Sequence, residues 1–366
     1  MKRKKTNLMD DKNLKKKIVV IGIVFFIISV GLNIYLDDIG HFFSRQNQVE
    51  IEEKEPEKEK DINPTHETVE EIVYQVKENM ISSYIKELTK HGGHPTATRF
   101  KTFISKIFGK ILDLPIEKVA DFIYNELEDM NIKVKKMPWK QDLKISKLFD
   151  PNYIPYRFFV GNNIEATLPG TNESSDEIYI LVSHYDTWYL SPGANDGSSG
   201  VAAVLTAAKL MSQYSFEHTV RFLFVDGEKQ LSIGSREYVK EVKENKDNII
   251  AVFNVDAIGN PGPDYRGDEI VITFKEPCWV ADYLKDVNKR YNSLDFTIFD
   301  GSTGDHYCDH KSFLNKGYDV VCVCEAIHDD NWCKPSDTLE NIDLTYATKV
   351  TKLVIATICE LALDLK

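Results

Sequence analysis

The chain has 366 residues, 42% of them hydrophobic, which suffices for one large α/β domain with appendages and a sizeable core. A net charge of −12 and a pI near 5.3 speak against a nucleic-acid partner, because no basic face offsets repulsion by phosphate. Six cysteines in a chain of this length do not make a disulfide scaffold, and Cys322 and Cys324, alternating along an apolar run, read as small buried hydrophobes.

The opening differs in composition from the rest. Residues 1–17, MKRKKTNLMDDKNLKKK, are basic, and Ile18 to Leu36 form an apolar stretch of about the 20 residues that a helix needs to cross a bilayer. No small-residue cleavage site follows and the run exceeds a signal-peptide core, so a retained transmembrane helix is predicted over 18–36. Lys and Arg crowd its N-terminal flank while Asp37 and Asp38 follow it. By the positive-inside rule this puts residues 1–17 in the cytoplasm and the main domain outside the cell. Residues 37–67 include the charge run VEIEEKEPEKEKDINPTHE, which buries no apolar surface and reads as an acidic flexible stalk. The folded ectodomain is predicted over 68–366.

Within it, apolar spacing of three and four predicts one helix from about Thr68 to His91, ended by Gly92 and Gly93. A helix over about Ile116 to Met130, a strand near Ile132 to Lys135 and a strand over Phe158 to Leu168 follow, the last stopped by Pro169 and Gly170. Ile178 to Val182 is a continuous apolar run, read as a strand buried on both faces, and it breaks into His184 and Asp186. A loop with Pro192 and Gly193 leads to Asn195, Asp196 and Gly197. After Gly200 the segment VAAVLTAAKLM is helical, with Ser198 or Ser199 available as its cap. Strands near Arg221 to Val225, Ile249 to Val255, Glu269 to Phe274 and Val320 to Cys324 alternate with helices near Ser232 to Val242, Trp279 to Tyr291, Asp309 to Lys316 and Leu344 to Leu363. The alternation predicts a doubly wound, mostly parallel sheet flanked by helices.

Three of these strands run into acidic or imidazole side chains: His184 and Asp186, Glu228, and Asp256, with Asp196 on the adjoining loop. In an open α/β sheet ligands bind at the carboxyl ends of the strands. Nitrogen and oxygen donors converging there suit zinc, at ligand distances of about 2.0–2.2 Å, or acid/base chemistry.

The segments NIEATLPG, LVSHYDT, PGANDGSSGVAAVL, FLFVDGEKQLSIGS, FNVDAIG, DHKSFLNKG and KPSDTLENI lie in this order from Asn163 to Ile342. Together they resemble the co-catalytic zinc aminopeptidases of metallopeptidase family 28. The resemblance implies the α/β fold of the zinc aminopeptidases, also described as phosphorylase/hydrolase-like, and a peptide substrate. It implies that Asp196 corresponds to an aspartate bridging two zinc ions, and that His184 and Asp256 hold one of them. Glu228 corresponds to the general base, and Asp186 to the carboxylate that orients the histidine ligand.

Two positions depart from the family pattern, and both belong to the other ion. The Glu-Glu pair of the family reads Glu228-Lys229 here, and the histidine before the PSD motif is Cys333. A zinc ion with its glutamate sums to one positive charge, as does Lys229 alone. An ammonium in that place keeps Asp196 compensated without metal, and the alternative is a Lys229 that snorkels to water. Cys333 remains a competent zinc ligand, and His306, His310 and His328 lie in neighbouring loops as substitutes. A Lys229 ammonium within about 4–6 Å is expected to depress the pKa of Glu228. One zinc ion is therefore expected rather than two. The leading reading is a membrane-anchored zinc peptidase acting on peptide N-termini, the second a receptor-like binding ectodomain on the same fold. Glutaminyl cyclase ranks last, because its single zinc uses the ligand set altered here.

Overall fold

A computed structural model describes residues 65–98, 114–144, 156–261, 269–291, 293–301, 308–325 and 330–365. The expected cytoplasmic tail, transmembrane helix and nearly all of the stalk lie outside these residues. Among the described residues no helix is long and apolar enough to cross a membrane.

The central strands are β4 (Glu177–His184), β5 (Thr219–Val225), β6 (Asn248–Val255) and β9 (Val320–Cys324). They pair in the order β5-β4-β6-β9 and all run parallel, as the continuous apolar runs led one to expect. Both flanks are antiparallel. On one side β3 (Tyr156–Leu168) pairs with β5, and β1 (Ala97–Thr98) and β2 (Lys133–Lys144) pair with β3. On the other, β7 (Glu269–Thr273) runs antiparallel to β9 and carries β8 (Thr297–Gly301), making a nine-stranded sheet among the described residues.

Side chains of the central strands alternate between two cores. Tyr179, Leu181, Phe222, Phe224, Phe253 and Val255 face α4 (Ser198–Met211) and α8 (Leu344–Ala362). Ile178, Ile180, Val182, Leu223, Val225 and Val252 face α5 (Ile233–Asn245) and α7 (His310–Leu314). Helix α4 is buried on nearly all sides, consistent with its run of Ala, Val and Leu, because α8 and the N-terminal helices cover its outer side. The remaining helices are α3 (Pro115–Asp129) and α6 (Trp279–Arg290).

Four local expectations are corrected. The single helix over 68–91 is two, α1 (His66–Gln75) and α2 (Glu78–Thr89), separated by extended backbone at Val76 and Lys77. The buried residues Val69, Ile72, Val73 and Val76 are followed by Ile81, Tyr84, Ile85 and Leu88, a jump of five that one continuous helix places off the stripe. The short strand at 132–135 is the twelve-residue β2, paired with β3 along its length. Its apolar signal is sparse because it is a margin strand, where Pro138 is tolerated. The strands β1 and β8 carry too little apolar pattern to be read. Neither serine caps α4: Gly197 is its N-cap, and Ser199 lies in the first turn with Oγ donating to Asn195 O at 2.6 Å.

The chain passes from β4 to β5 on one side and returns to β6 on the other, so the strand order reverses at β4. That reversal opens a crevice at the carboxyl ends, where His184 sits.

Candidate active site

Register builds one half of the site. Val182 pairs with Asn254, so two residues further along both parallel strands His184 stands level with Asp256. His184 Nε2 lies 3.1 Å from Asp256 Oδ1 and 3.2 Å from Asp196 Oδ1, and all three residues are buried. On the other edge of the ring, Nδ1 is 3.0 Å from Asp186 O, which fits Nδ1–H as donor and turns Nε2 toward the two carboxylates.

Asp196 comes from the loop before α4. Asp337 holds that loop, accepting from Asn195 N at 2.6 Å and from Asp196 N at 3.2 Å. Glu325 accepts from Asn195 Nδ2 at 2.8 Å. A Cβ on Gly197 would lie 2.5 Å from His184 Cε1, so only glycine lets the loop approach the imidazole this closely.

The turn after β5 supplies the other half. Gly227, Leu231 and Ser232 all adopt left-handed φ, at 85°, 67° and 53°, and enclose a 3₁₀ turn over Glu228–Gln230. Asp186 anchors this turn, its Oδ1 accepting from Glu228 N at 3.0 Å and its Oδ2 from Lys229 N at 3.1 Å. The same carboxylate lies 3.7 Å from His184 Nδ1, so Asp186 ties the histidine to the turn. Thr96 Oγ1 bridges Asp186 Oδ2 at 3.0 Å and Asp226 Oδ1 at 2.7 Å.

Lys229 does not snorkel. Its side chain is 7% exposed, and Nζ lies 2.6 Å from Asp196 Oδ1 and 2.7 Å from Glu228 Oε2, with the Trp332 ring centroid 5.6 Å away. Burial pushes its pKa down, but Asp196, Glu228 and Asp256 outweigh that and hold the ammonium charged. Cys333, in left-handed backbone at φ 61°, donates from Sγ to Asp196 Oδ2 at 3.1 Å. Burial, followed by the charge of Asp196, pushes its thiol well above the usual range.

Electrostatics divides the carboxylates. Burial raises Asp196, yet Lys229 and His184 bring it down to about 2. Burial likewise raises Asp256, and His184 and Lys229 hold it below its ordinary value. For His184, burial and then Lys229 act downward, and Asp256 and Asp196 more than compensate, so the imidazole titrates well above its usual value. Glu228 corrects an expectation: burial raises it, Lys229 opposes only in part, and the net displacement is upward. Beside it the buried Asp309 is pushed up to about 8, by burial first and by Glu228 second.

The structure thus gathers His184, Asp186, Asp196, Glu228, Asp256 and Cys333 into one centre. Of the substitute histidines, His306 and His328 fall outside the described residues, and His310 groups instead with Cys308 and Cys322. Reading the sequence missed Thr96, Asp337 and Trp332. Asp337 had a signal in the PSD motif, whereas Thr96 had none. His184, Asp196 and Asp256 offer one nitrogen and two carboxylate oxygens, all within 4.8 Å of one another. That donor set suits zinc, and one dication neutralises both carboxylates.

The described fold resembles solved aminopeptidases. The chain superimposes on an aminopeptidase from Aneurinibacillus sp. strain AM-1 with a TM-score of 0.65 at 15% identity, covering 80% of this chain and 95% of that one. It superimposes on BSAP, a zinc aminopeptidase from Bacillus subtilis, with a TM-score of 0.63 at 15% identity, covering 80% and 96%. A glutaminyl cyclase from Fimbriiglobus ruber gives 0.62 at 16% identity, covering 78% and 95%. At these identities the likeness concerns the fold.

In sequence, the chain is 31% identical over 163 residues to a probable leucine aminopeptidase 2 of Aspergillus oryzae, covering 42% of this chain and 32% of that protein. It is 25% identical over 208 residues to the aminopeptidase YwaD of Bacillus subtilis, covering 54% and 44%. It is 38% identical over 225 residues to a probable lipoprotein aminopeptidase LpqL of Mycobacterium tuberculosis, covering 51% and 43%. The chain spans about a third to a half of the length of these relatives. Residues 163–358, more than half of the sequence and the stretch that carries every ligand candidate, match the model of peptidase family M28, and to that family this chain belongs.

Proposed function

We propose that the protein is a membrane-anchored zinc aminopeptidase that works with one ion in its peptidase centre, held by His184, Asp196 and Asp256, with Glu228 as general base. The observation that carries the one-ion reading is the buried Lys229 ammonium, 2.6 Å from Asp196 Oδ1 and 2.7 Å from Glu228 Oε2. With one dication, Asp196 and Asp256 balance the metal while Glu228 balances Lys229, and the centre is close to neutral. A second dication adds two uncompensated charges in a buried site.

When bound, zinc supplies Lewis-acid polarisation of the scissile carbonyl and acidifies an attacking water. The chain's own residues do the rest. Glu228 is held by its backbone N–H on Asp186, and its raised pKa makes it a stronger base than a solvated glutamate. Asp186 fixes the ring of His184 through its backbone carbonyl, which accepts from Nδ1 at 3.0 Å, with its carboxylate 3.7 Å from the same nitrogen. Lys229 keeps Glu228 in place at the cost of part of its basicity, so turnover is expected to be weak.

The anchor rests on the apolar stretch Ile18 to Leu36 and its basic flank, with residues 37–67 as spacer and the peptidase domain outside the cell. A reporter fused after residue 67 should be accessible from outside intact cells, and cytoplasmic activity of that reporter refutes the topology.

The test of function is hydrolysis of peptides with free N-termini by the full-length chain supplied with zinc, with zinc counted by elemental analysis. His184→Ala should lose one ion per chain together with all turnover. Lys229 and Cys333 also favour a second reading, a receptor-like ectodomain. A wild-type protein that carries the ion, binds peptides and turns none over with zinc or manganese establishes that reading and overturns the first.

A further inference from the structure

A second group of soft ligands lies beside this centre and is not used by it. Cys308 stands two residues ahead of α7's first residue, His310, and Cys322 is the middle residue of β9. The two thiols and the imidazole offer ligand atoms all within 4.8 Å of one another. Cys322 and His310 are fully buried, and Cys308 is half-buried as a residue with its thiol turned into the group.

The framework around them is rigid. β9 is paired on both sides, by β6 and β7, so Cys322 cannot swing away. Helix α7 is clamped to α5 by Ser312 Oγ and Ser235 Oγ at 2.8 Å and by packing of Phe313 against Tyr238. Asn254 Nδ2 donates to Cys322 Sγ at 3.2 Å, which helps fix where that sulfur sits. Zinc–sulfur bonds of about 2.3 Å and zinc–nitrogen bonds of about 2.0 Å imply tetrahedral edges of roughly 3.5–3.8 Å. The three ligand atoms, all within 4.8 Å of one another, are held in the neighbourhood of those edges.

We propose that Cys308, His310 and Cys322 form a second, thiolate-rich metal site that takes zinc or another thiophilic cation, distinct from the His184, Asp196 and Asp256 centre. Two thiols alone fit a disulfide equally well, but a disulfide has no use for an imidazole within the same few ångströms, whereas a two-sulfur, one-nitrogen set is a recurrent zinc donor set. Binding of a divalent ion releases both thiol protons to solvent, and the ion's charge balances the two thiolates. Cys308 lies close enough to Asp256 for the carboxylate's charge to act on its thiol. The new ion therefore adjoins a ligand of the peptidase centre, and its occupancy tunes the charge that Asp256 presents there.

The experiment adds cobalt(II) to the reduced, full-length chain without oxygen and reads the thiolate-to-cobalt charge-transfer band in the near ultraviolet. The band should appear in the wild type and in His184→Ala, which has lost the peptidase ion, and should persist in Cys333→Ser. It should vanish in Cys308→Ser and in Cys322→Ser, while His310→Ala should keep the band and change the visible d–d spectrum. Because Cys322→Ser alters a fully buried position, a second measurement uses only wild type: in partial denaturant that exposes buried thiols, zinc should slow alkylation of two cysteines relative to the chelator-treated chain, and peptide mapping should identify them as Cys308 and Cys322. Absence of a thiolate band in the wild type overturns the site, as does a band that survives in Cys322→Ser and is lost in Cys333→Ser. Protection of no cysteine by zinc overturns it independently.

Discussion

The two halves of the peptidase centre are built on different kinds of backbone. His184 and Asp256 stand at the ends of adjacent parallel strands whose ladder fixes their spacing, and their side chains meet at 3.1 Å. Lys229 and Cys333 stand on turns with left-handed residues, where one side chain can replace another without disturbing any ladder. The strand-end half contributes His184 and Asp256 to the candidate donor set, and the turn half carries an ammonium and a thiol. On the proposed one-ion reading, a charge-bearing ligand on a turn is replaced at constant net charge, since what the turn contributes is charge and the geometry comes from the sheet.

The sharpest break of this comparison is Glu228→Gln. It removes the base while keeping shape, so turnover should fall by about 10²–10⁴-fold with the ion retained by elemental analysis. Loss of the ion together with the activity would show that Glu228 is a ligand instead.

Lys229→Ala leaves Asp196 and Glu228 facing each other without compensation, and breaking a buried pair in this way costs about 3–5 kcal/mol. Chemical denaturation of the chelator-treated protein should show it, and added zinc should restore part of the loss. The double variant Lys229→Glu, Cys333→His rebuilds the missing ligand set. Its zinc content should rise by one ion per chain and its turnover above that of the wild type, and an unchanged zinc content refutes the role given to Lys229.

Asp309 sharpens the electrostatics. Its carboxyl is pushed from 3.8 to about 8 in the folded protein, so its contribution to stability is complete below the unfolded value and is lost as pH rises toward 8. In metal-free protein, stability should decline across that window by at most about 1.4 kcal/mol per pH unit. Asp309→Asn should flatten the slope, and an unaltered slope assigns it to another group.

The smallest effect belongs to Thr96, whose hydroxyl joins Asp186 to Asp226. Thr96→Val should destabilise by about 1–3 kcal/mol and loosen the orientation of His184, which would appear as weaker zinc affinity. Full affinity in this variant would confine Thr96 to a structural role.

The sequence by itself determined the parallel centre of the sheet, because strands such as VVCVC and IYILV are apolar on both faces and only a doubly covered sheet buries both. It also determined the identities at the strand ends, since Asp256 follows an apolar run directly, His184 follows Val182 with only Ser183 between, and Glu228 comes after the Asp226-Gly227 pair that ends another run. The break between α1 and α2 shows in the sequence only as the five-residue jump from Val76 to Ile81, and the length of β2 does not show at all, because its outward side chains carry no pattern. Only the tertiary structure decided where Lys229 points. A lysine after a strand is free to reach water, and here the turn anchored on Asp186 and the charge of Asp196 and Glu228 draw it inward. The meeting of Cys308 and His310 with Cys322 was likewise invisible in sequence, because it depends on how α7 lies across the sheet, and packing against Tyr238 sets that rather than any local pattern.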